Sequence, residues 1–177
     1  MSASPIDPSG PSQVFAGTFG LGSRVYHVGF VVPDLEEGIA TMTEVLGVPF
    51  TEPIDLAGLQ LMTPEGPRDE VLRLAYTTRP ANVELIGTVS GTLWDFDDAH
   101  RGHHLGVWSD DVQAEAARLT ALGMPALWWG VGTEGRWMFS YHLTPYGMYI
   151  ELVDTIARAF YPQWFAAADP SLAPPEG

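Results

Sequence analysis

Val25-Tyr-His-Val-Gly-Phe-Val-Val-Pro-Asp-Leu35 and His103-His-Leu-Gly-Val-Trp-Ser-Asp-Asp-Val112 are the two stretches on which the fold turns. Placing His27 over His104 brings Gly29 onto Gly106, Phe30 onto Val107, Asp34 onto Asp111 and Leu35 onto Val112, all at an offset of 77. Further on, Leu46-Gly-Val-Pro49 answers Leu122-Gly-Met-Pro125 at offset 76, and Val83-Glu-Leu-Ile86 answers Ile150-Glu-Leu-Val153 at offset 67. Three blocks in one order point to a duplicated unit. The falling offset gives the first copy a longer internal loop, within the Pro- and Gly-rich stretch Leu56 to Glu70.

Each copy reads as strand, helix, then three strands. Residues 24–32 are β-branched and aromatic, which suits a strand. Asp34 is a good N-cap with Glu37 three residues on, Leu35, Ile39, Met42 and Leu46 recur at helical spacing, and Gly47 stops the helix. Val112, Ala116, Leu119 and Leu122 repeat that stripe before Gly123. Further strands are expected at 50–56, 71–78 and 82–88, and at 125–131, 136–144 and 147–154. The fold class is therefore α+β, with two βαβββ modules at 23–90 and 101–154. Residues 1–22 read as a flexible N-terminal arm without the features of a signal peptide. Residues 155–177 read as a helix, packing Phe160, Trp164 and Phe165 on the body, and a tail.

Composition removes whole classes of chemistry. With no cysteine, disulfides, thiolate metal sites and cysteine nucleophiles are excluded. All eight basic residues are Arg, so Schiff-base chemistry and a Walker-type phosphate loop, which need an amine, are excluded too. A formal charge of −14 repels phosphates, which argues against nucleic acid, and no apolar run reaches membrane-spanning length. A small molecule is the expected partner, in the cytoplasm.

Four residues hold matching places in the repeat: His27 and His104 on the first strand of each copy, Glu84 and Glu151 on the last. Strand side chains alternate faces, so the helices cover one face and these four share the inside of a curved sheet. A lone strand histidine is usually a satisfied core residue, and a strand glutamate usually faces water. Two glutamates at equivalent apolar positions instead imply a buried partner. Two imidazoles and two carboxylates form a site for one divalent ion, Zn, Ni, Co, Mn or Fe(II). His103 points to the opposite face and reads as structural. His142 reads as a supporting or surface residue.

His27-Val-Gly-Phe with Pro33-Asp-Leu35, His103-His104-Leu-Gly, and Pro145-Tyr-Gly-Met-Tyr-Ile-Glu151 resemble the vicinal oxygen chelate superfamily, over about residues 24–154. That group includes glyoxalase I, methylmalonyl-CoA epimerase, extradiol dioxygenases and bleomycin-binding proteins. The resemblance implies paired modules forming a cup-shaped mixed sheet around one metal held by His27, Glu84, His104 and Glu151. By similarity to glyoxalase I, Glu151 or Glu84 would serve as the base. The implied activity is a metal-dependent isomerase, lyase or epimerase acting through an enolate-like intermediate on a bulky molecule with adjacent oxygens, in a homodimer. The epimerase likeness lacks a Glu base near Val71–Ala75, where Arg73 stands.

Two alternatives remain. One is an Fe(II) extradiol-type dioxygenase using His27, His104 and Glu151; its expected upstream histidine is missing from residues 131–135. The other is a non-catalytic binder of aromatic compounds. The expected pocket is lined by Trp108, Trp128, Trp129, Trp137, Tyr141, Tyr149 and Arg73, with plain core packing as the competing fate of the tryptophans.

Overall fold

The computed structural model describes residues 24–160 apart from 57, 79–81 and 100. The expected arm at 1–22, and the tail with Trp164 and Phe165, lie outside the described residues. In chain order the elements are β1 (Val25–Val32), α1 (Leu35–Leu46), β2 (Ile54–Leu56), β3 (Gln60–Thr63), β4 (Gly66–Arg68), β5 (Leu72–Tyr76), β6 (Val83–Gly87), β7 (His104–Ser109), α2 (Val112–Ala121), β8 (Ala126–Val131), β9 (Trp137–Leu143) and β10 (Tyr149–Asp154), with short 3-10 segments at Thr133–Gly135 and Thr155–Phe160.

One mixed sheet runs β2-β5-β6-β1-β7-β10-β9-β8-β3-β4. At its centre β1 and β7 are antiparallel. Outward from each, the pattern repeats: β6 lies parallel to β1 and β10 parallel to β7, then antiparallel neighbours follow. The duplicated sequence thus becomes two half-sheets related by a pseudo-twofold axis between β1 and β7. Asp34 and Asp111 cap the helices as expected, accepting from Glu37 N at 2.8 Å and Ala114 N at 2.9 Å. Gly47 closes α1 at φ 65°. Both helices pack on the convex face, α1 setting Leu35 on Ala75, Val83 and Leu85, and α2 setting Val112, Ala116 and Leu119 on Val107 and Leu152.

Three expectations need correction. Leu122 is the C-cap of α2 and is exposed, because the helix ends at Ala121 and the stripe is complete with Leu119. The strand expected at 50–56 begins only at Ile54, since Pro53 has no N–H to give a ladder and Phe50 keeps a single bridge to Thr77. Leu56 to Glu70 is not just a loop. It holds the β3–β4 hairpin, and β3 pairs with β8 at the far edge of the second half.

That hairpin curls the sheet. β2 is at one edge and β3 is next to the other, yet only three residues separate Leu56 from Gln60. Four peptide steps reach at most ~14 Å, so the two edges must approach and the sheet bends into a half-barrel. The largest core fills its concave side, with Trp94 fully buried against Trp128 at 5.0 Å and Tyr141 at 5.4 Å between ring centroids. Trp94 belongs to the connection between β6 and β7, outside both repeats. Trp94→Ala should cost about 3–5 kcal/mol, the usual range for emptying a large aromatic site. A lower urea midpoint at unchanged m-value would show it.

Candidate metal centre

Strand register explains how four residues far apart in sequence meet. Tyr76 on β5, Glu84 on β6, Gly29 on β1 and His104 on β7 lie side by side across four neighbouring strands. Tyr141 on β9, Glu151 on β10, Gly106 on β7 and His27 on β1 form the same row running the opposite way. In each row the histidine and glutamate are two strands apart, about 9–10 Å between backbones. Each imidazole crosses that gap by leaning over the glycine between them. A Cβ on Gly29 would stand 1.9 Å from His104 Cε1, and one on Gly106 2.2 Å from His27 Cε1. No side chain fits there, so the His-x-Gly spacing in both copies is a steric requirement.

The four side chains are buried and their ligating atoms lie within 4.8 Å of one another. His27 Nε2 and His104 Nε2 are 2.9 Å apart. Glu84 Oε2 is 3.0 Å from His104 Nε2 and 3.5 Å from His27 Nε2. Glu151 Oε2 is 3.3 Å from His27 Nε2 and 3.4 Å from His104 Nε2. Nδ1 of His104 donates to the Gly102 carbonyl at 2.9 Å, so the neutral ring turns the Nε2 lone pair toward the cluster.

These residues fit a divalent ion. Donors bound at ~2.1 Å lie about 3.4 Å apart on a tetrahedron and about 3.0 Å apart at adjacent octahedral corners. The five distances above span that range. Glu151 Oε2 is buried without a hydrogen bond of good geometry, which an ion would resolve. His27, Glu84, His104 and Glu151 could hold a metal ion. In its absence protons take part of the load. Burial alone would lower the His104 imidazole, but the carboxylates of Glu151 and Glu84 raise it to about 10. Burial would raise the Glu151 carboxyl, but His104 and His27 hold it down to about 2.

Beside the cluster is a cavity of about 440 Å³, with Glu84 and Glu151 among its lining and Tyr26, Leu72, Leu74, Phe139 and Tyr141 along its walls. Burial, aided by Glu151 and Glu84, pushes the Tyr141 phenol well above its ordinary value, so it stays a hydrogen-bond donor.

Of the residues expected in the pocket, Tyr141 lines the cavity. Tyr149 is buried beside Tyr141, ring centroids 6.3 Å apart, but does not line it. Trp108 and Trp128 are core residues behind the walls, Trp108 stacked at 3.7 Å on Tyr26 and Trp128 against Trp94. Trp129 and Trp137 stack on each other at 4.8 Å and fall outside the cavity. The register shift between Gly130 and Val131 carries Trp137 off the face of Phe139 and Tyr141 and into the core under α2. Arg73 is on the convex side, paired with Glu36 at 2.8 Å. His103 accepts from Val31 N at 3.2 Å, and His142 bonds Ser140 Oγ and the Met124 carbonyl, each at 2.9 Å.

Sequence reasoning missed Tyr26, which alternation assigns to the convex face. A bulge between Val25 and His27 turns it into the cavity instead. It also missed the Tyr76–Tyr141 match. The signal was there, one tyrosine on the strand preceding each glutamate strand.

A family model described as the glyoxalase/bleomycin resistance protein/dioxygenase superfamily matches residues 26–141. The chain belongs to this superfamily. It is also 31% identical over 154 residues to a 2-epi-5-epi-valiolone epimerase from Actinomyces sp, covering 78% of this chain and 83% of that protein. Among solved structures, a Streptomyces coelicolor methylmalonyl-CoA epimerase variant in complex with 2-nitronate-propionyl-CoA aligns at TM-score 0.49 and 18% identity, over 74% of this chain and 93% of that one. A 4-hydroxymandelate synthase variant from the same organism aligns at TM-score 0.46 and 18% identity, over 74% of this chain and 38% of that one.

His104→Ala and Glu151→Gln should each lower bound metal at least tenfold by elemental analysis, while His103→Ala leaves it unchanged. Gly106→Ala should lose metal like a ligand variant, because the new Cβ displaces His27. Metal uptake should also depend on pH in a definite sense. An imidazole raised to about 10 is protonated at neutral pH and must release its proton to bind. Affinity should therefore rise as pH climbs toward 10, with about one proton released per ion, read by calorimetry in buffers of different ionisation enthalpy.

Proposed function

We propose that this chain is a divalent-metal-dependent epimerase or isomerase acting on a small molecule with two adjacent oxygens. The observation that carries the reading is the convergence of two histidines and two glutamates at the edge of a largely apolar cavity. Superfamily membership and an epimerase relative support the class of reaction. A divalent ion held by His27, Glu84, His104 and Glu151 would supply Lewis acidity toward the charge that develops as a proton leaves the carbon next to a carbonyl.

The chain's own groups do the remaining work. Epimerisation needs a proton taken from one face of a carbon and returned to the other. Glu84 and Glu151 come from opposite half-sheets, and both line the cavity. Either one, on leaving the ion, could act as base toward a substrate in the cavity, and as acid on the return. Tyr76 and Tyr141, one beside each carboxylate in the register and both in the cavity lining, are donors for substrate oxygens. No helix among the described residues is long and apolar enough to cross a membrane. A second copy of the chain, in a cytoplasmic homodimer, is part of the same proposal.

The test is elemental and chemical. Purified protein should hold about one equivalent of a divalent ion. With oxygen-free handling and Fe(II) loading, it should consume no oxygen when given catechols. Oxygen uptake at enzymatic rates would replace this reading with the dioxygenase one.

A further inference from the structure

Resting on that reading, we infer that the site takes a neutral, mainly hydrocarbon α-hydroxyketone, and not a polyhydroxylated ring or an acyl-CoA. The cavity lining decides this. Away from Glu84 and Glu151 the walls are aliphatic or aromatic, with Leu56, Leu59, Leu72, Leu74, Met138 and Phe139 forming a continuous apolar surface. The polar groups there are the Tyr26, Tyr76 and Tyr141 phenols and, on the half-exposed β2 edge, Asp55. A ring bearing four or five hydroxyls would leave several of them against hydrocarbon without a partner.

Anionic carriers are disfavoured by the same wall. Among the described residues, no arginine or histidine lines the cavity. Described arginines are engaged elsewhere, Arg68 with Glu70, Arg73 with Glu36 and Arg136 with Asp154, while Arg158 lies 5.1 Å over the Trp108 ring. The chain as a whole carries −14. A diphosphate would meet a field of its own sign, with no arginine in the described lining to receive it.

Size sets the third limit. Filled to interior density, about 0.74, a 440 Å³ cavity takes ~330 Å³ of van der Waals volume. That suits two or three carbocyclic rings. The oxygens of such a molecule would sit toward Glu84, Glu151 and the phenols, with its rings in the leucine half. The reaction balances without a redox partner. The carbinol C–H bond breaks, its proton passes to a carboxylate, and the electron pair moves into the carbonyl to give an enediolate. Return of a proton to the opposite face of the same carbon re-forms the C–H bond and the carbonyl and gives the inverted α-hydroxyketone.

Optically active benzoin, an inosose and methylmalonyl-CoA serve as probes for the metal-loaded full-length protein. Calorimetry reads binding, and mass spectrometry in D₂O reads exchange at carbon. Benzoin should bind at least tenfold more tightly than the inosose, should exchange its carbinol hydrogen and lose optical rotation, and methylmalonyl-CoA should not bind. Phe139→Ala should weaken benzoin at least tenfold at unchanged metal content; should that variant fail to fold, Met138→Ala on the same wall carries the comparison. Tighter binding of the inosose or of methylmalonyl-CoA, or no binding of benzoin, overturns the substrate class. Benzoin that binds but neither exchanges nor racemises leaves the apolar class standing and sinks the epimerase reading.

Discussion

Two glycines under two imidazoles set the rest of this structure. Antiparallel pairing of β1 and β7 places Gly29 opposite His104 and Gly106 opposite His27. Each histidine can then lean across a neighbouring strand that would otherwise block it, to reach a glutamate one strand further out. One interlock serves both copies, because antiparallel pairing turns a single His-x-Gly spacing into two complementary halves. Helices must stay off this face. The convex face accordingly carries both, leaving the concave one to four polar side chains and an apolar cavity.

Twofold symmetry would give the two carboxylates matching surroundings. The β3–β4 hairpin removes the equivalence. It is inserted in the first copy only, yet pairs with β8 of the second, so it joins the two ends of the sheet. Leu56 and Leu59, on either side of that crossing, line the cavity, and nothing in the second copy matches them. The ligand set keeps its twofold pattern while the chamber around it becomes one-sided.

Much of this is legible in the chain before any coordinates. Repeat offsets locate the strands, the caps and all four residues of the cluster, because the pairing of duplicated segments constrains position tightly. What is not legible follows from departures from regular alternation. The bulge before His27 carries Tyr26 inward, and a period-two reading sends it outward. Trp129 and Trp137 look like pocket residues on strand membership, but the face they occupy depends on register within β8 and β9, which shifts twice. The hairpin is hidden because Pro and Gly dominate it, and its partner is a strand some seventy residues away in sequence that local pattern cannot name. Trp94 belongs to no repeat, so nothing in the duplication marks it.

Charge balance ties the cluster to its surroundings. Two carboxylates in an apolar cup are too costly to leave uncompensated. A divalent ion on two glutamates and two neutral imidazoles gives a site of zero net charge, whereas the metal-free site retains a proton on His104 through the same two carboxylates. Metal and proton therefore compete for one electrostatic slot. Loaded, the site is neutral and its walls are hydrocarbon, so a neutral molecule can enter without displacing charge. In the proposed reaction the charge that appears is the one carried by the deprotonated substrate, and a bound ion and phenolic donors would meet it in a medium of low polarity, where such interactions are strongest. An apolar chamber is thus the condition that gives a two-histidine, two-glutamate centre its leverage over a carbon acid.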